Sequence, residues 1–126
     1  MILNIFCAAH KTYSHSYAED RLPKFLFAFH GGHRFKSPSE AGAYMQKWGQ
    51  WSAGLGSTLV DPGLPVVPSK TVRAAGVADD GGPNPIAGIM VIQADNMMSA
   101  LDVAKSCPHI TIGGSIEVAE AMNMKM

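Results

Sequence analysis

Two short runs of this chain are apolar at every position: Phe25-Leu26-Phe27-Ala28-Phe29 and Ile89-Met90-Val91-Ile92. A strand that alternates apolar and polar residues needs one cover, whereas a strand apolar at every position needs two. Only two helices are legible in the sequence, so both strands want more cover than the chain supplies. The pattern therefore predicts a sheet with helices on one face and a second copy of the chain on the other.

The chain has 126 residues, 47% of them hydrophobic, the size and makeup of one globular domain. A domain of that size buries roughly two-thirds of its unfolded surface and needs no metal or disulfide staple. Ten basic and ten acidic residues cancel, so there is no electrostatic footprint for nucleic acid or an anionic membrane. No apolar run approaches the length of a membrane span. Cys7 and Cys107 are the only cysteines; they suggest no disulfide framework and fit a reducing, cytoplasmic location. Residues 1–22 read as an extension or arm and 23–126 as the domain. The start resembles a short signal peptide, but it lacks a basic segment and Asn4 interrupts its apolar stretch. Tyr13, His15 and Tyr17 alternate as in a short added strand.

Residues 24–30 read as the first strand, followed by a loop at His30-Gly31-Gly32-His33. Ser37-Pro38-Ser39-Glu40 predicts a helix start in which Ser37 accepts from the Glu40 amide and Glu40 reaches back to the Ser37 amide. The helix stripe is Ala41, Tyr44, Met45, Trp48, Trp51 and Leu55, with Gly54 and Gly56 as the stop. Ser57 to Val60 reads as a short strand, Asp61-Pro62-Gly63-Leu64-Pro65 as a turn, and 70–77 as another strand. Asp79 to Pro85 is a loop, and 86–94 is the second fully apolar strand. Asp95 is expected to cap a second helix closed by Pro108, and the last strand carries Ile116, Glu117 and Val118 to an end near Met122.

This order predicts an α+β fold of the ferredoxin-like, split βαβ kind, with an antiparallel sheet, both helices on one face and one extra strand in the middle. An open apolar sheet face is rare on a soluble monomer, so a homodimer through that face is expected.

Thr71-Val72-Arg73, Asp80-Gly81-Gly82-Pro83, Ile92-Gln93-Ala94-Asp95, Ala100-Leu101, Cys107-Pro108 and Gly114-Ser115-Ile116-Glu117-Val118 follow one another along residues 23–122. In that order and spacing they resemble the YCII-related (DGPF) domain family. The resemblance implies the dimeric α+β barrel superfamily, in which two ferredoxin-like units close their sheets face to face. In one branch of that family a His on the first helix and a nearby Asp are the proposed catalytic dyad. This chain has no His on its first helix, where Trp48 and Trp51 stand instead, and Asn84 stands where the family signature has Phe. The dyad chemistry is therefore not carried over.

The remaining candidates are read from residue chemistry. His30 and His33 bracket two glycines, a spacing that holds zinc only if a third ligand such as Asp79, Asp80 or His109 converges; surface imidazoles on a loop are the simpler reading, and no metal or cofactor is expected. Asp80 begins the family-like motif and is the better acid/base candidate of the Asp79-Asp80 pair, against ordinary Asp-Gly turn chemistry. Lys70 and Arg73 fall on opposite sides of a strand, so one of them is placed to meet an anion in a cleft. Trp48 serves as core or as a pocket wall. His109 follows Pro108 at a helix end, where a structural role competes evenly with a catalytic one. Ser115 opens the last strand. The expected site is a cavity in the dimer barrel or between helices and sheet, taking a small polar molecule. Asp80, His30 and His109 are its catalytic candidates; His33, Trp48, Lys70, Arg73 and Ser115 are its binding candidates. Any chemistry there would be cofactor-free proton transfer, isomerisation or hydrolysis. The alternative is a non-catalytic assembly or regulatory protein that binds protein partners.

Overall fold

The computed structural model describes residues 22–123; the arm expected over 1–22 lies outside them except for its last residue. Strand β1 (Lys24–Gly31) is followed by helix α1 (Pro38–Leu55), β2 (Leu59–Pro65), β3 (Thr71–Arg73), β4 (Gly76–Ala78), β5 (Ile86–Gln93), helix α2 (Met97–Lys105) and β6 (Gly114–Glu120). Short 3-10 turns stand at Gly56–Thr58 and Pro108–Ile112. Four strands form one sheet in the order β2-β5-β1-β6, with β1 antiparallel to both neighbours and β2 antiparallel to β5. This is an α+β fold of ferredoxin-like topology, as the element order predicts.

Register explains the doubly apolar strands. Phe25, Phe27 and Phe29 pair with Ile92, Met90 and Gly88 of β5, while Leu26 and Ala28 pair with Val91 and Ile89. Side chains alternate across a sheet, so the first set shares one face and the second the other. The first face is the core: Phe25, Phe27, Met90 and Ile92 are fully buried with Ala100 of α2 and Cys107 just beyond it. Trp48 and Trp51 of α1 and Ile116 and Val118 of β6 pack against that cluster.

Both helices begin at side-chain caps, which satisfy amides the helix cannot. Ser37 Oγ accepts from the Glu40 amide at 3.1 Å. Glu40 Oε1 accepts from the Lys36 amide at 3.1 Å, one residue earlier than the expected box. Asn96, not Asp95, caps α2; its Oδ1 accepts from the Ser99 amide at 2.9 Å.

Two elements differ from expectation. Asp61-Pro62-Gly63-Leu64-Pro65 is not a turn after a strand but the body of β2, whose pairing with β5 shifts on both sides of Asp61. A bulge absorbs the proline, and Asp61 Oδ1 accepts from the Gly63 amide at 2.8 Å. Gly63 has φ 64° and lies against the Ile89 carbonyl, so no side chain fits there. The single strand expected at 70–77 is a separate two-stranded hairpin, β3–β4, with Thr71, Val72 and Arg73 opposite Ala78, Val77 and Gly76. Its turn at Ala74-Ala75 interrupts the apolar run that reads as continuous.

Candidate functional site

Under α1 the sheet and helix do not close. A cavity of about 350 Å³ opens there, within the size of small-molecule pockets. Phe29 of β1 and Ala87 and Gly88 of β5 line it from the sheet, and Pro62, Leu64 and Pro65 from β2. Tyr44, Met45 and Trp48 line it from α1; Gly31 lines it from the end of β1, Gly32, His33 and Phe35 from the β1–α1 loop, and His109 and Ile112 from the second 3-10 turn.

The local sequence builds this shape. Steps of three and four place Tyr44, Trp48 and Trp51 on one helix face, yet none of the 18 residues of α1 is fully buried. Large rings hold the helix away from the sheet. Phe35 and Tyr44 centroids are 5.0 Å apart, Tyr44 and Trp48 6.1 Å, and Trp48 and Phe29 5.4 Å; Phe29 meets the His109 ring edge-on at 5.3 Å. His33 completes the series against Phe35 at 5.9 Å. Offset and edge-on ring pairs are the favoured geometries. Trp51 anchors the helix, its Nε1–H donating to Ser106 Oγ at 2.9 Å.

His109 is buried, and its Nε2–H donates to the His30 carbonyl at 2.8 Å. A Cβ at Gly114 would overlap the His109 ring, so glycine opens β6 for packing. Burial pushes the Tyr44 hydroxyl up to about 12, with the neighbouring Cys107 adding to the shift. Burial also raises the Cys107 thiol to about 11, opposed by the His109 backbone amide. Both groups hold their protons at neutral pH.

The expected site residues divide between several places. His33, Trp48 and His109 meet at the cavity. His30, two strand positions from its neighbour Ala28, shares the opposite face of the sheet with Glu117. Its Nδ1–H is shared between the Asn84 and Pro85 carbonyls at 3.1 and 3.2 Å, and its Nε2 meets Glu117 Oε1 at 3.1 Å. All three partners are acceptors, so every N–H the ring carries is spent within the protein. That geometry ties the loop before β5 to β6. Ser115 lies exposed opposite His30.

Asp80 sits outside the cavity lining: its Oδ1 accepts from the Gly82 amide at 3.0 Å, and its carbonyl accepts from the Thr71 hydroxyl at 2.7 Å. Lys70 pairs with Asp79 at 2.8 Å with both side chains well exposed, and Arg73 is exposed at the hairpin turn. Among the described residues no three His, Cys, Asp or Glu side chains converge as a metal site, and no helix is long and apolar enough to cross a membrane.

Phe29, Phe35, Tyr44 and Ile112 belong to the cavity without having been singled out from sequence as site residues. The step from Tyr44 to Trp48 to Trp51 was their one signal, and it reads equally as core. No family model matches the chain, and no curated protein matches it.

Proposed function

We propose that the protein binds a small molecule in the cavity between α1 and the sheet, as a homodimeric protein of the YCII-related kind. The observation that carries the reading is the aromatic enclosure itself: Phe29, Phe35, Tyr44 and Trp48 around about 350 Å³, with His33 and His109 as polar groups. Pockets that take small ligands have this makeup, apolar walls with a few placed polar groups. The occupant is more apolar than the residue types alone suggest, because Lys70, Arg73 and Asp80 stand elsewhere. Proton transfer, if the bound molecule undergoes any, falls to His33, the imidazole on the exposed β1–α1 loop. Support for the homodimer comes from Leu26, Ala28 and Ile89, half-buried on the sheet face opposite the helices.

Solution NMR with a panel of neutral and anionic one- and two-ring compounds tests the binding reading. Shifts gathered on Phe29, Tyr44 and Trp48, and lost in Ala87→Leu, are expected. A panel that moves none of these residues refutes it. Sedimentation showing only monomer at micromolar concentration refutes the dimer.

One observation favours the assembly reading instead. Val72 and Val77 form a cross-strand pair on the hairpin and are 78% and 65% exposed, as a protein-docking edge would be. Retention of monodispersity in V72T/V77T without loss of any partner would count against it.

A further inference from the structure

The polar groups of the cavity are unequal in kind. His109 commits Nε2–H to the His30 carbonyl at 2.8 Å, which in that tautomer leaves Nδ1 as a lone pair. No described residue donates to that nitrogen, and it is not sealed from solvent. His33 commits Nδ1–H to the Arg34 carbonyl at 3.0 Å, which leaves Nε2 as a second lone pair. The Tyr44 hydroxyl has no protein partner among the described residues, and it both donates and accepts. No Lys, Arg, Asp or Glu lines the cavity.

The inventory is three acceptors and one donor, with no carboxylate, ammonium or guanidinium among them. An anion entering it would be desolvated without a cation to meet it, which burial penalises heavily. A purely apolar ring would take the lone pair of the buried His109 out of water and give it nothing in return. A neutral ring carrying an N–H or O–H satisfies an imidazole lone pair and stacks against the aromatic walls. We propose that the occupant of this cavity is a neutral, planar aromatic compound of about two rings that donates a hydrogen bond to His33 or His109. This rests on the reading that the cavity is a binding site.

Three probes of nearly equal shape separate the possibilities: indole, which has a ring N–H; benzofuran, which has an oxygen in its place; and indole-3-carboxylate, which adds a negative charge. Titration calorimetry on the full chain, with NMR shifts at Tyr44 and Trp48 to place the probe, gives the affinities. Indole is expected to bind about tenfold or more tighter than benzofuran, the step one well-made buried hydrogen bond supports, and the carboxylate to bind weakest. His33→Phe should remove the indole preference where His33 is the acceptor and preserve it where His109 is. Equal affinity for indole and benzofuran overturns the donor requirement and leaves the cavity reading standing. Tightest binding by the carboxylate overturns the neutral requirement. Binding by none of the three overturns both this inference and the reading beneath it.

Discussion

Helices α1 and α2 cover the same face of the same sheet in opposite ways. Helix α2 has nine residues and seats Ala100 and Ala104, both buried, directly against the strands. Helix α1 has twice the length, no fully buried residue, and stands off on Tyr44, Trp48 and Trp51. Small side chains bring a helix close and leave no gap; large rings bridge a distance and leave space between them. One half of the molecule is therefore built for packing and the other holds room for a guest. A closely packed helix tolerates no added volume, whereas a helix over a cavity does. The strongest way to break the comparison is to add the same side chain to each half. Ala100→Leu should cost about 1–3 kcal/mol through overpacking, read as a lower urea midpoint. Ala87→Leu, which points the same extra volume at the cavity, should cost a fraction of that while abolishing ligand binding. Equal costs would mean that the space under α1 closes in solution.

The two halves meet where Tyr44 of α1 approaches Cys107 beyond α2, and there the prediction concerns pH. Burial raises the thiol from 9.0 to about 11, and burial with the nearby Cys107 raises the phenol from 10.0 to about 12. Below pH 9 folded and unfolded chains both keep these protons, and stability does not depend on them. Between about pH 9 and 12 the unfolded chain releases them first, so stability falls as pH rises, and above about 12 the loss is complete. Denaturation midpoints from pH 8 to 11 should drop. Cys107→Ala should flatten the early part of that drop and Tyr44→Phe the later part. Unchanged slopes in both variants would place these groups in water and the helix ends further apart than described.

The packed half was the more legible in sequence. Phe25, Phe27, Met90 and Ile92 follow from strand periodicity, because that signal is local. The cavity half was not, because its walls come from five separate segments and no local pattern joins Phe35 to Ile112. His30 and His33 read in sequence as a pair three residues apart; the sheet sends one to Glu117 and the other to the cavity. Asp80 carries turn chemistry in both sequence and structure. Asp61-Pro62-Gly63 misled for a physical reason: a bulge and a turn need the same residues, and only the register with β5 tells them apart.

The smallest expected effect tests whether the looseness of α1 is encoded in the helix itself. Gly42, Gly49 and Gly54 all lie within α1, and a Cβ at any of them would meet nothing within 4 Å. They are there neither for close packing nor for a left-handed backbone, since none has a positive φ. Each weakens the helix by roughly 0.5–1 kcal/mol relative to alanine. Gly49→Ala, one residue beyond Trp48, should therefore raise stability by about that amount, while the same change at the Gly63 bulge should destabilise. If ligand entry requires α1 to lift, Gly49→Ala should also slow association and dissociation together and leave the equilibrium affinity nearly constant. A stabilised variant with unchanged rates would show that the cavity is open as it stands, with α1 a fixed roof rather than a moving one.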